Sequence, residues 1–499
     1  VGRFKIRPYR SSRLSEYAAR MSKDKLNVLM DDHVAQVLQT QGYSVDESPR
    51  SVYRVDKLYE ALMKFAPGRI PAPKDQRLLS YGIALARASF SRPKSHARLS
   101  LLPMTPRTVK LITRRPSASA GLTNYGCSKA ESETRALERG LQTLSGEKAP
   151  EPCLGFARTQ FDDKTRLVWG YPYSMTLIEG LVAYGLNELF KGGFTPMAYS
   201  IRTSALGTKL RVASYHCQWA YSIDMSSFDA SIHAILIHEA FKILRTWYDM
   251  YEIEPVSGKT AGEIFDLIEG YFIHTPIVMP NLKLYLGKMH GVPSGSYFTQ
   301  MVDSIVNVII AGTIGERFKL NISKEEIFVL GDDLLFWSNR SLDLHTIATF
   351  ASDFFGVEFN PKKCAKFNFK DEIKYLGRIW DKGVPTLDED EILKRMIYPE
   401  RFRRYSEDKE QLRRQVRLLI LSYAAVYREG YPIARNTLWT DLWYKQSPGA
   451  MDISVYHGSH VETGQNVDEF MSGLERYMRL YVMSNSQRDM PHTAIQFWL

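Results

Sequence analysis

Gly331-Asp332-Asp333 stands between two short apolar runs, Ile327 to Leu330 and Leu334 to Trp337, and few folds can accommodate it. Apolar runs of this length, split by a glycine and two acids, read as a β-hairpin. Two adjacent carboxylates at its tip repel one another and raise each other's pKa unless a counter-charge is present. A bound cation supplies one, and a ligand set made only of oxygen suits magnesium or manganese rather than zinc. A solvated Asp-Gly turn is the competing explanation.

A second acid pair lies upstream, in Asp224-Met-Ser-Ser-Phe-Asp229. Trp219, Tyr221 and Ile223 alternate with smaller residues, which predicts a strand ending at Asp224. Asp229 opens the helical pattern Ala230 to Trp247, where the helix dipole favours an acid. Asp224 has no such reason to be there. If its strand lies beside the Gly331 hairpin, Asp224 faces Asp332 across a gap. Two cations about 4 Å apart would fit, clamping the attacking and leaving oxygens of a phosphoryl transfer.

Gly291 to Thr299 contains Ser294-Gly295 and runs into a long apolar helix, Phe298 to Ile314. Free N–H groups at such a helix start attract phosphate. Thr299, Asp303 and Asn307 recur every four residues and share one face. That stripe needs hydrogen-bond partners, either a ribose hydroxyl reached through Asp229 or a buried network with no ligand. Lys164 and Arg166 alternate on a strand, as a triphosphate beside metals requires and as a solvated strand face also allows.

The remainder of the chain reads coarsely. Residues 1–95 read as loops and short helices, and 96–212 as basic loops with short strands, Arg114 to Gly126 being a loop. Residues 271–290 predict a hairpin, 343–355 a helix, and Lys374 to Trp380 a further hairpin. Residues 1–130 hold 24 Lys and Arg against 9 Asp and Glu, a balance of +15, while the whole chain carries +10. The rest is therefore at −5, so a polyanion is expected on the N-terminal part. The four cysteines form no CxxC pair, which argues against zinc and against a disulfide framework. No window reads as a secretory signal or a membrane span.

Taken together, these residues resemble the ordered motifs of viral RNA-dependent RNA polymerases, over roughly residues 110–380. Asp224 and Asp229 match motif A, Ser294, Gly295 and Thr299 motif B, Gly331 to Asp333 motif C, and Lys164 and Arg166 motif F. Ser119-Ala-Gly121 resembles the template-side loop. Asn360 to Lys363 resembles the segment with a lysine general acid, Lys363 being preferred to Lys362. Ile373 to Gly377, with Lys374 and Tyr375, resembles the primer-gripping hairpin. Many family members carry Asn where this chain has Asp303, so Asp303 and Asn307 both stand as completing ribose selection. The strings Arg166 to Pro172 and Thr299 to Asn307 resemble polymerases of partitiviruses (plant cryptic viruses), and after them picobirnaviruses.

The resemblance implies an α+β right-hand fold of fingers, palm and helical thumb. Its expected bounds are 1–95 for an N-terminal segment bridging fingers and thumb, 96–212 for fingers, 213–233 for palm with motif A, 234–285 for a fingers insertion, 286–390 for palm, and 391–499 for thumb and tail. It implies two Mg²⁺ (Mn²⁺ a possible substitute) on Asp224, Asp332 and Asp333, with RNA template and product and nucleoside triphosphates as partners. Replication of a segmented double-stranded RNA genome, primer-independent initiation, a capsid protein partner, a monomer, no membrane, and a place in the virion interior or host cytoplasm are expected with it. A reverse transcriptase or other palm-type polymerase, and a non-catalytic, capsid-associated RNA-binding protein, are the alternatives. Ala494 to Leu499 is either an aid to unprimed initiation or a packed terminus.

Overall fold

The computed structural model describes residues 2–398, apart from 27–29, 31, 41, 44–50, 69, 161–163, 202 and 387–388. The expected thumb and tail, 391–499, therefore lie outside the described residues beyond the helix Glu389–Ile397, and so does the apolar end at 494–499.

The centre is an antiparallel sheet of β4 (Trp219–Ile223), β8 (Ile327–Leu330), β9 (Asp333–Ser338) and β11 (Ala365–Asn368), ordered β11-β4-β9-β8. Side chains alternate across it with period two. Tyr221, Ile223, Val329, Leu334 and Phe336 join the main core, shared with the helices Thr299–Phe318 and Leu344–Phe355. Ala220, Phe328, Leu335 and Trp337 join a second core on the other face. That core is closed by the helix Thr203–His216 and a small sheet of β12 (Ile373–Tyr375), β13 (Arg378–Asp381) and β14 (Val384–Thr386). Leu376 and Gly377, both at positive φ, make the tight turn between β12 and β13.

A second sheet, ordered β1-β7-β6-β2-β3, joins β1 (Lys5–Pro8), β2 (Cys153–Thr159), β3 (Thr165–Gly170), β6 (Ile277–Val278) and β7 (Lys283–Leu286). Two short strands, β5 (Met225–Ser226) and β10 (Glu358–Phe359), pair next to the central sheet.

Several expectations are corrected in detail. Asp333 opens β9 and pairs with Leu330, so only Gly331 and Asp332 form the turn. The helical pattern from Ala230 breaks: Asp229–Ser231 is one 3₁₀ turn, and the helix Ala234–Arg245 is capped by His233. The 271–290 hairpin is confined to β6 and β7, residues up to Ile273 ending a helix instead. Arg114 to Gly126 includes a 3₁₀ turn at Gly121–Asn124. Residues 1–95 contribute strand β1 and a 15-residue helix, Gln76–Phe90. Residues 96–212 hold the 18-residue helix Tyr173–Phe190, buried along most of its length, so no amphipathic stripe marks it in the sequence.

Candidate active site

β4 and β9 pair in register as far as Ile223 and Leu334. One step further along these antiparallel strands, Asp224 comes level with Asp333 at the sheet's end, beside Asp332 in the turn. The sequence expectation that these acids converge thus has a structural cause: the apolar alternation of both strands sets the register. Gly331 takes a positive φ of 59°, which the first residue of such a two-residue turn requires. The turn is also held from below. Gly331 N–H donates to Ser304 Oγ at 3.0 Å, and Asn307 Nδ2 donates to the Gly331 carbonyl at 2.7 Å.

The backbone of Asp224 lies in the gap between two ladders, β4 with β11 and β5 with β10. The segment 360–364 fills the gap. Asn360 N–H donates to the Asp224 carbonyl at 2.8 Å, and the Cys364 thiol accepts from Asp224 N–H and donates to its carbonyl, each at 3.3 Å. Lys363 rides on this segment.

Electrostatics join what the sequence singled out. Burial raises the Asp224 carboxyl, with Asp332 adding to the rise, while Lys363, Lys164 and Arg166 oppose it. Asp333 is pushed up to about 7 by burial first, then by Asp332 and Asp224. Arg166 Nη2 stands 3.8 Å from Asp332 Oδ2. Three cations and three carboxylates, drawn from four chain segments, therefore share one field. Among the described residues no three acidic, His or Cys side chains form a ready-made metal cage. Magnesium does not need one, since it commonly takes one or two carboxylates and completes its shell with water and substrate phosphates. The all-oxygen donors and the mutual repulsion of these acids fit that ion.

The Asp229 and Asp303 carboxyls face one another closely enough for each to shift the other's titration. Asp303 is 3 % exposed. Burial, then the neighbouring Asp229, holds its carboxyl well above the usual carboxylate range. Burial raises Asp229 as well, though less, so the pair favours holding a proton between its two carboxyls. Of the two residues expected to complete the ribose site, Asp303 faces Asp229. Asn307 is turned to the Gly331 carbonyl instead.

Other expected residues are placed as follows. Ser294 Oγ accepts from Trp169 N–H and donates to the Leu167 carbonyl, both at 3.3 Å, tying its loop to β3. A Cβ at Gly295 would lie 1.7 Å from the Trp169 carbonyl oxygen, so only glycine allows that approach. Thr299 Oγ1 donates to the Pro293 carbonyl at 2.7 Å. Ser119 Oγ accepts from Gly121 N–H at 3.2 Å, in a loop resting on Tyr171. Lys374 is exposed, and its carbonyl accepts from Ser222 Oγ at 2.8 Å. Tyr375 corrects the expectation of strand contact: it is 3 % exposed and belongs to the core beneath the sheet, because β12 turns it inward.

Sequence reasoning missed three residues near the site. Lys64 Nζ donates to Ser227 Oγ at 2.8 Å. Lys288 is fully enclosed, its Nζ donating to the Phe272 and Ile273 carbonyls at 2.7 and 3.0 Å while it lies over the Trp169 ring. Glu179, 1 % exposed, bonds to the loop after Ser294. Lone charges inside apolar stretches were the signal that could have found the last two.

Comparison with known proteins points to one family and one fold. Residues 161–434 match the family model described as viral RNA-dependent RNA polymerase. The chain is 30% identical over 277 residues to the RNA-directed RNA polymerase of Cryptosporidium parvum virus 1, covering 51% of this chain and 47% of that one. It is 24% identical over 253 residues to that of White clover cryptic virus 1, covering 46% and 41%. The matched stretch spans less than half of either relative. Among solved structures, the RNA-dependent RNA polymerase of a human picobirnavirus superposes with a TM-score of 0.70 at 14% identity, covering 98% of this chain and 95% of that one. A sicinivirus RNA-dependent RNA polymerase gives 0.64 at 14% identity, covering 83% and 92%. At such identities the likeness establishes the fold alone, which is the right-hand polymerase fold.

Proposed function

The chain belongs to the viral RNA-dependent RNA polymerase family, and on that premise we propose that it copies RNA templates into RNA from nucleoside triphosphates. The observation that carries this reading is the convergence of Asp224, Asp332 and Asp333 at one sheet end, within the field of Lys164, Arg166 and Lys363. Asp224 and Asp332, assisted by Asp333, would hold two magnesium ions, which when bound supply charge neutralisation and activation of the attacking 3′-hydroxyl. The chain's own residues do the rest by positioning and electrostatics. Arg166 and Lys164 offset the triphosphate's negative charge. Lys363, on the segment that braces Asp224, delivers a proton to the leaving pyrophosphate. Asp229, paired with Asp303, accepts from the ribose 2′-hydroxyl.

The same proposal extends to replication and transcription of a segmented double-stranded RNA genome, primer-independent initiation, work as a monomer with a capsid protein partner, and a place in the virion interior or host cytoplasm. No helix of the described residues is long and apolar enough to cross a membrane. The test is strand synthesis without primer on single- and double-stranded RNA, with and without Mg²⁺. Product on single-stranded RNA only when Mg²⁺ is present is expected. Magnesium-independent synthesis, or none on either template, contradicts the reading.

A further inference from the structure

Glu179 lies midway along Tyr173–Phe190, at a position otherwise suited to an apolar side chain. An ionisable group so deeply enclosed is costly unless its partners satisfy it. Its partners are on another element. Ser296 Oγ donates to Oε2 at 2.5 Å, and Tyr297 N–H donates to Oε1 at 3.0 Å. Ser296 Oγ also accepts from Phe298 N–H at 3.1 Å. Tyr297 and Phe298 are the two residues that lead into the helix Thr299–Phe318, whose N-cap residue, Phe298, offers no capping side chain. Glu179 thus ties down, from a separate element, the chain just ahead of that helix.

Tyr297 is gripped from its other side as well. The Arg114 guanidinium lies 4.5 Å from its ring centroid, and Arg114 Nε donates to its hydroxyl at 3.2 Å. The helix that begins here carries Asp303 to Asp229 one turn later, then Ser304 and Asn307 to the Gly331 turn. A regular helix transmits a displacement of its first turn to the next.

We propose that Glu179 is a positioning residue for ribose selection: through Ser296 and Tyr297 it fixes the start of the Thr299–Phe318 helix, and so the register of Asp303 against Asp229. The inference rests on the polymerase reading of the site.

The test is the ratio of kcat/KM for a ribonucleoside triphosphate to that for its 2′-deoxy analogue, measured on an RNA template with Mg²⁺ and the full chain. Glu179→Gln retains an acceptor for Tyr297 N–H and a polar partner for Ser296, and should keep the ratio within about twofold. Glu179→Ala removes both bonds and should lower it about tenfold, with kcat for the ribonucleotide falling more than its KM rises. If Glu179→Ala does not fold, Ser296→Ala takes its place, with an expected fall of about threefold. An unchanged ratio in the variant that folds, whatever its thermal stability, overturns the proposal while leaving the polymerase reading intact. A wild-type chain that adds no ribonucleotide removes both.

Discussion

Glycine at 295 answers to a single distance, the 1.7 Å that would separate a Cβ there from the Trp169 carbonyl oxygen. That contact is to backbone, so no rotamer change relieves it. Gly295→Ala should force the loop off β3, break the Ser294 bonds to Leu167 and Trp169, and cost about 1–3 kcal/mol by urea unfolding. Loss of less than about 0.5 kcal/mol would contradict the packing described. Glu179 gives a pH test. Burial pushes it up to about 8, and its neighbours Tyr171, Tyr271 and Cys153 are held neutral by burial too. An unfolded Glu ionises near about pH 4.3. As pH rises from there, the unfolded chain releases a proton that the folded chain keeps, so stability falls until about pH 8 and levels off above it. Glu179→Gln does not titrate. Its stability relative to wild type should therefore rise between pH 5 and 8 by on the order of a few kcal/mol, and a flat difference would count against the assignment. At this scale the convergence of Asp224, Asp332 and Asp333 was legible because paired carboxylates beside apolar strands need a counter-charge. Glu179 was not, because its partners come from a segment more than a hundred residues away.

Helix crossing shows the same division between local and distant information. The long helix at 299 was legible from its long, mostly apolar run with one polar stripe, and the hairpin of β8 and β9 from its turn chemistry. What the Thr299–Phe318 helix packs against was not. It meets the helix Gln76–Phe90 so closely that a Cβ at Gly82 would lie 2.2 Å from the Ile309 carbonyl oxygen, and one at Gly312 would lie 2.9 Å from Gly82 Cα. Gly82→Leu should separate the two helices and lower stability by at least about 3 kcal/mol in urea unfolding. A stable Gly82→Leu protein with unchanged unfolding would show that the two helices do not cross here. Asp229 illustrates the opposite error. An acid before an apolar pattern suggests a helix N-terminus, yet tertiary pairing with Asp303 takes it into a 3₁₀ turn, and His233 caps the helix instead.

Across the molecule, the N-terminal segment is built into the site region in ways its basic, irregular sequence did not disclose. Strand β1 pairs with β7, some 275 positions away, and such pairings leave no local signature. Phe65 packs edge-on against Trp169 at 5.0 Å, Lys64 Nζ reaches Ser227, and His290 Nε2 lies 3.0 Å from the Lys64 carbonyl. One short segment thus touches strand β3, the loop after Asp224 and the approach to Ser294. Phe65→Ala should cost about 3–5 kcal/mol and slow incorporation as well, measured by unfolding and by single-nucleotide addition; a loss of stability alone would confine the segment to a structural role. The fold class itself was legible because the catalytic motifs keep their order along the chain.

The proposed chemistry requires Asp224, at the end of β4, and Asp332, in the turn before β9, to form one magnesium-dependent centre. Templated ribonucleotide incorporation by Asp332→Ala beside the wild-type chain, with Mn²⁺ binding followed by calorimetry on both, addresses this most directly. Incorporation should fall about a thousandfold or more, with weakened Mn²⁺ binding and an unchanged melting temperature within a few degrees. Wild-type incorporation by Asp332→Ala would contradict it.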